Sequence, residues 1–182
     1  IREICEANDI NVANFDVIHS RNEQSAIIRS VQLVREHLAD TLMKGKCSTA
    51  ALLHVVLDKK HGIRSGKLLS HVAVFDIPAY HKLLIMSDGG MNIEPDIEAK
   101  IAIIENAVSA AHKLGIEKPK VALIAAIEKV NYKAMACTMD AAIISKMAER
   151  DQIVNAIIDG PLALDNAVDK RACEIKGIKS PV

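Results

Sequence analysis

Short apolar runs rich in β-branched residues alternate along this chain with segments in which apolar residues recur at helical spacing. The runs predict strands at 15–18, 41–43, 70–77, 83–87, 121–127 and 156–158, the last ending at Asp159-Gly160-Pro161. The spaced segments predict helices that begin near Ser20, at Ser48 or Thr49, at Pro95 and at Thr138. Such alternation is typical of an α/β fold with a largely parallel sheet.

The two predicted strands at 70–77 and 83–87 interrupt this alternation, because only the 78–80 turn separates them. They predict a hairpin, and the apolar hairpin is a candidate contact surface between copies of the chain. We place a domain boundary near residue 68, with part of domain I at 1–68 and an incomplete domain II at 69–182.

Composition narrows the class of protein. Half of the 182 residues are hydrophobic, and Lys+Arg and Asp+Glu both number 23, which disfavours a nucleic-acid binder. No apolar run reaches the roughly 18 residues of a membrane span. The four cysteines are widely spaced and the seven histidines form no ligand cluster, so we expect reduced thiols, a cytoplasmic protein and no metal site.

Three predicted junctions between strands and helices carry polar or small residues, at 44–49, 87–92 and 159–165. Ligands collect at such strand ends in α/β sheets. In the first junction, Lys44, Gly45, Ser48 and Thr49 suit a phosphate group, although an ordinary turn with a helix cap is the commoner meaning of such a segment. The order of residues is not that of a Walker A loop.

The other candidate residues also keep more than one interpretation. Asp88 could orient a substrate, bind a cation or hold its own turn, and Asp159 could act at its strand end or serve its Gly-Pro turn. Arg64 could bind phosphate in a bidentate manner or belong to a solvated charged loop. His71 begins an apolar strand, where a structural histidine is the commoner case. The Rossmann glycine fingerprint, the zinc-protease motif and the serine-hydrolase elbow do not occur in the sequence.

Several longer sequence strings indicate a protein family, which residue spacing alone does not. They are LMKG at 42–45 with ST at 48–49, LSHVAVF at 69–75, MNIEP at 91–95, DAA at 140–142 with SKM at 145–147, and DGPLALD at 159–165. Over essentially its whole length the chain resembles the phosphate butyryltransferase and phosphate acetyltransferase family.

The resemblance implies two α/β domains of the isocitrate/isopropylmalate dehydrogenase-like architecture with the active site in the cleft between them. It implies the reaction acyl-CoA plus phosphate giving acyl phosphate plus CoA, for a short straight or branched acyl group. The substrates would be acyl-CoA and phosphate, with CoA as substrate and no cofactor or metal, in a cytoplasmic homo-oligomer that contacts neither nucleic acid nor membrane.

Carried over by position, the resemblance implies a set of substrate-binding residues. They are Lys44, Gly45, Ser48, Thr49, Arg64, Ser70, His71, Asp88, Asn92 and Asp159. The family's catalytic Ser, Arg and Asp segment would follow Val182. We therefore expect these 182 residues to be a central piece of a longer protein and to be inactive alone.

Two departures from the family pattern give weight to one of the alternatives, the degenerate relative. His54 stands where relatives commonly carry an arginine, and the loop at 131–137 is one residue longer than usual and lacks its prolines. The alternatives are a phosphate acetyltransferase, a degenerate relative that binds CoA or acyl phosphate without turnover, and a related decarboxylating dehydrogenase acting on phosphorylated substrates.

Overall fold

The computed structural model describes residues 2–13 and 15–182. It divides into two compact units, Ile1–Gly66 and Lys67–Val182. Within the described residues, no helix is long and apolar enough to cross a membrane.

The first unit is helical. Its helices are α1 (Arg2–Ala7), α2 (Glu23–Arg35) and α3 (Thr49–Val56). Its small core is built from Ile27 and Val31 of α2 and Val55 of α3, with partly buried apolar neighbours such as Leu52 and Ile63. Helical spacing in the sequence predicted Ile27 and Val31 on the inner face of α2, but it did not predict Val55, the buried residue of α3.

The start of α2 differs from the prediction by two residues. Asn22, not Ser20, is the N-cap: its side chain accepts a bond from the Ser25 amide at 2.9 Å, and the Ser25 hydroxyl accepts one from the Asn22 amide at 3.2 Å. This reciprocal pair is a capping box with serine in the place of the usual Glu or Gln. Glu23 is thereby free to bond elsewhere.

The strands predicted at 15–18 and 41–43 are wrong. Both segments are irregular, and their large side chains are exposed, 65% for Phe15 and 88% for Met43. A strand needs a neighbour to satisfy its backbone groups, and no strand occurs among the described residues of this unit.

The second unit contains all four strands of the described residues. They are β1 (Ala73–Phe75), β2 (Leu84–Met86), β3 (Lys120–Ile124) and β4 (Ile157–Leu162). The helices are α4 (Ile97–Lys113), α5 (Ala136–Glu149), α6 (Leu164–Val168) and α7 (Lys170–Lys176). The predicted hairpin is confirmed in a shorter form, with β1 antiparallel to β2 and Ala73 opposite Met86.

A parallel pair forms the core of this unit. β3 runs parallel to β4, and Ile158 of β4 packs with Ile104 and Val108 of α4 and Ile144 of α5. Asp96 caps α4 by accepting the Ala99 amide at 2.8 Å, one residue after the proline that predicted its start. Parallel pairing and alternating helices make this an α/β protein, with two small sheets in place of one larger sheet.

β4 extends further than predicted, through Gly160 and Pro161 to Leu162. A Cβ at Gly160 would lie only 2.6 Å from the Leu123 Cβ of β3, so this strand pair requires glycine there. The Gly160–Pro161 peptide bond is cis, as is Ser87–Asp88 after β2.

Candidate functional site

The 44–49 junction of the first unit is open. A Cβ on Gly45 would meet nothing within 4 Å, and among the described residues the Lys44 ammonium donates only to the Gly45 carbonyl, at 3.2 Å. Lys44, Gly45, Ser48 and Thr49 are all exposed. A ligand could therefore approach the backbone here without displacing protein.

Ser48 carries out two structural tasks at the start of α3. Its hydroxyl caps the helix by accepting the Ala51 amide at 3.4 Å, and its own amide donates to the Glu23 carboxylate at 3.0 Å. A helix N-terminus favours negative charge, and here Glu23 supplies it. Glu23 was not singled out from the sequence, because its bond to the Ser48 amide forms only where α2 approaches the start of α3.

Arg64 lies in a separate hollow of the same unit, of about 500 Å³. The hollow is lined by Ala50, Leu53, His54, Leu57, Asp58, Lys59 and Arg64. Hydrogen bonds from the His61 amide (2.6 Å) and the Lys60 amide (2.9 Å) hold the Asp58 carboxylate and lower its pKa. The hollow thus combines apolar side chains with three basic ones, and it includes His54.

In the second unit, Asp88 organises the turn after β2. Its carboxylate accepts the amides of His71 (3.2 Å), Met91 (3.3 Å) and Asn92 (3.1 Å) and the Asn92 side-chain NH₂ (2.5 Å). Desolvation raises the pKa of Asp88, but these bonds together outweigh it and leave the pKa below its usual value. Of the three interpretations of Asp88, the structure shows that it holds its own turn.

Ser70, His71 and Asn92 are brought together around that turn. The Asn92 NH₂ also donates to the Leu69 carbonyl at 3.1 Å, and the Ser87 hydroxyl donates to the His71 carbonyl at 2.7 Å. One polar surface therefore lies at this end of the hairpin. It combines the segment just before β1 with the loop just after β2.

Asn106 is a member of this surface that the sequence analysis missed. From α4 its NH₂ donates to the Leu68 carbonyl and to the Ser70 hydroxyl, both at 2.9 Å. The available signal was an amide between the buried positions Ile104 and Val108. Such an amide usually has a bonding partner, but the sequence does not say which.

Asp159 lies apart from this surface, in the parallel sheet. It is half-buried in β4 opposite Ala122, and its carboxylate accepts the Gly160 amide at 2.9 Å. It thus serves its own Gly-Pro segment.

The unusual loop at 131–137 is well supported. Thr138, fully buried, accepts the Asn131 amide at 2.8 Å and donates to the Met135 carbonyl at 2.7 Å. The Asn131 side chain also accepts the Ala134 amide at 3.1 Å. Hydrogen bonds therefore fix this loop without the prolines of the family pattern.

Metal binding has no visible basis in the part of the chain that is described. No three side chains among its His, Cys, Asp and Glu residues come together as a metal site would require.

Comparison with known proteins supplies the family. The model of the phosphate acetyl/butaryl transferase family matches residues 1–182. The chain is 41% identical over 182 residues to a phosphate butyryltransferase of Clostridium beijerinckii, covering 100% of this chain and 60% of that protein. It is 48% identical over 153 residues to a phosphate acetyltransferase of Thermotoga maritima, covering 84% and 52%.

A solved structure agrees. The branched-chain phosphotransacylase from Enterococcus faecalis V583 superposes with a TM-score of 0.82 at 34% identity, covering 91% of this chain and 58% of that one. Nearly all of this chain thus aligns with each of these two proteins, but the chain spans only about 60% of their length. Because the family match covers every residue, the chain belongs to the phosphate acetyl/butaryl transferase family.

Proposed function

We propose that this chain is part of a phosphate acyltransferase that converts acyl-CoA and phosphate into acyl phosphate and CoA. We infer a short straight or branched acyl group, as in a phosphotransbutyrylase, with phosphate acetyltransferase as the alternative. The observation that carries the proposal is the match of all 182 residues to one family, with relatives named for both acyl groups.

The reaction needs three kinds of group. A phosphate oxygen attacks the thioester carbonyl, an oxyanion develops, and the C–S bond breaks as the CoA thiolate leaves and takes up a proton. Cationic or N–H groups must hold phosphate, donors must stabilise the oxyanion, and a base must accept the thiol proton in the reverse direction. We assign no base among these 182 residues.

We assign phosphate or acyl phosphate binding to the 44–49 junction. Lys44 supplies charge, Gly45 permits close approach to the backbone, and Ser48 and Thr49 offer hydroxyl groups at the start of α3. The open space around Gly45 supports this assignment, since any other side chain would occupy it.

We assign an anionic part of the substrate to the hollow around Arg64. Its apolar side chains suit the methylene groups of a pantetheine-like chain, and Lys59 and Arg64 suit phosphate. The imidazole of His54 lacks the bidentate guanidinium fork of the arginine of relatives, so this chain would bind such a phosphate less strongly.

At the Asp88 turn we assign substrate contact to Ser70, His71 and Asn92. Each has a polar atom beyond those that the turn uses: the Ser70 O–H, the His71 ring and the Asn92 side-chain carbonyl. Asp88 orients these groups, and Asp159 plays the same part for its own strand end.

We also propose the finer features that the family resemblance implies. The architecture is isocitrate/isopropylmalate dehydrogenase-like, with domain I at 1–68 and domain II at 69–182. The protein acts in the cytoplasm as a homo-oligomer, with CoA as a substrate and no separate cofactor.

The test is thiol release by the product of the complete reading frame. With butyryl-CoA, isobutyryl-CoA or acetyl-CoA we expect CoA thiol to appear only when phosphate is present. Absence of phosphate-dependent release with all three rejects the proposal. Calorimetric CoA binding in that case would support the degenerate relative, and a nicotinamide absorbance change would support the dehydrogenase.

A further inference from the structure

The backbone of His71 is held at both polar groups by the turn that follows β2. Its N–H donates to Asp88 at 3.2 Å and its carbonyl accepts the Ser87 hydroxyl at 2.7 Å. Continuing the Ala73–Met86 register by two residues places His71 opposite Asp88. Side chains of the turn therefore replace the ladder hydrogen bonds that an antiparallel pair would form at this point.

The ring of His71 lies against Gly89 of the same turn. A Cβ at residue 89 would be 3.1 Å from the imidazole Nδ1, which is closer than most such contacts in proteins, and 3.7 Å from Cε1, an ordinary contact distance. Any residue other than glycine would push the ring by a few tenths of an ångström. The ring is exposed, and within residues 2–13 and 15–182 no hydrogen bond restrains it, so its orientation depends on this packing.

The neighbouring glycine shows that backbone conformation is not the reason for residue 89. Gly90 has φ +132, which L-residues rarely adopt, and a Cβ there would meet nothing within 4 Å. Gly89 has no such φ but has a ring above it. Of two adjacent glycines, one is required by the backbone and the other by His71.

We propose that Gly89 and Ser87 are positioning residues for His71, fixing the imidazole that contacts the substrate in the transfer reaction. The inference rests on the proposed function, in which His71 touches phosphate or the acyl carbonyl. A displaced donor matters there because misplacement by 1 Å costs about 10²-fold in rate. Ser87 fixes the backbone of His71, and the missing side chain at residue 89 leaves the space in which its ring lies.

A double-mutant cycle in the complete protein tests this, with phosphate-dependent release of CoA thiol as the measurement. Gly89→Ala is expected to lower kcat about five- to tenfold for a shift of a few tenths of an ångström. In the His71→Ala background the same change should have no effect, because the ring that it displaces is gone. Ser30→Ala is the control: it removes a similar hydroxyl–carbonyl bond inside α2, at 2.8 Å, and should leave kcat unchanged.

The NMR signal of the His71 Cε1–H group, assigned by its loss in His71→Ala, gives a second readout that does not need turnover. It should move in Gly89→Ala and Ser87→Ala and stay in place in Ser30→Ala. An equal loss of kcat in both backgrounds, or an unmoved signal in Gly89→Ala, overturns the inference. Wild-type protein without turnover rejects the proposed function instead, and the NMR signal then decides the positioning role by itself.

Discussion

Two of the three junctions that sequence spacing marks as ligand-binding candidates use their polar groups in opposite ways. At 44–49, the side chains of Lys44, Ser48 and Thr49 are exposed and Gly45 has free space around it. At 87–92, four N–H groups converge on Asp88 and a Cβ on Gly89 would press on His71. The first junction leaves polar groups available to a ligand, whereas most polar groups of the second form hydrogen bonds within the turn itself.

This difference indicates different tasks for the two junctions: ligand binding at 44–49 and structural support at 87–92. Substitutions at a saturated junction should lower stability, since each lost acceptor leaves N–H groups unpaired. Substitutions beside an open junction should alter substrate affinity and leave the fold intact. The same strand-end pattern in a sequence thus stands for two different tasks.

The largest expected effect is at Asp88. Asp88→Ala leaves four N–H groups without their acceptor, two of them half-buried, and should lower the free energy of unfolding by about 2–3 kcal/mol. Asp96→Ala, the control, removes one capping bond of α4 and should cost about 1 kcal/mol. Urea unfolding followed by circular dichroism measures both, and equal costs would contradict a saturated turn.

Acid should weaken the same turn. The hydrogen bonds to Asp88 outweigh its desolvation and lower its pKa, so the folded state holds the proton less tightly than the unfolded chain, where an Asp pKa is about 3.9. The stabilisation is therefore complete well above pH 4 and is lost as pH falls through the lowered folded pKa.

Hydrogen exchange at the Met91 and Asn92 amides, measured against pH, would follow this loss. We expect protection relative to the intrinsic exchange rate to fall at acid pH in the wild type. Asp88→Asn, which has no carboxylate to protonate, should show a flat profile. Identical profiles in the two proteins would mean that another group titrates.

The sequence predicted the long elements better than the short ones. α4 and α5 carry helical spacing over 17 and 14 residues, and the hairpin has a turn between two apolar runs. The runs at 15–18 and 41–43 look alike in sequence, but a short apolar run cannot show whether a partner strand exists. β4 passes through Gly160-Pro161 because Leu123 packs against that glycine, a contact across 37 positions of sequence.

The candidate site was predictable in the same limited way. Predicted strand ends and family strings led to Ser48, His71 and Asp88, because both are local properties, although no strand of the described residues precedes Ser48. Asn106 and Glu23 could not be assigned, since their bonds join segments 36 and 25 residues apart. The local sequence pattern locates a junction, and contacts with segments distant in sequence determine whether its polar groups remain available to a ligand.

A smaller effect is expected in the hollow around Arg64. His54→Arg adds a permanent charge beside Lys59 and Arg64. In the reaction of acyl phosphate with CoA, it should lower KM for CoA about threefold, because an exposed ion pair contributes about 0.2–1 kcal/mol. Stability should change by less than about 0.5 kcal/mol. His19→Arg places the same charge on an exposed site outside the hollow and serves as the control; equal changes in KM would indicate a general effect of net charge.

The smallest effect is at Glu23, whose carboxylate accepts the Ser48 amide at 3.0 Å. Glu23→Gln keeps an acceptor for that amide and removes the negative charge that would repel phosphate at an exposed junction. KM for phosphate should fall about twofold, since exposed charge pairs are worth about 0.2–1 kcal/mol. Glu36→Gln removes the same charge at the far end of α2 and should leave KM unchanged. If KM instead rises in Glu23→Gln, the carboxylate helps to shape the junction, and 44–49 resembles the Asp88 turn more than its open space suggests.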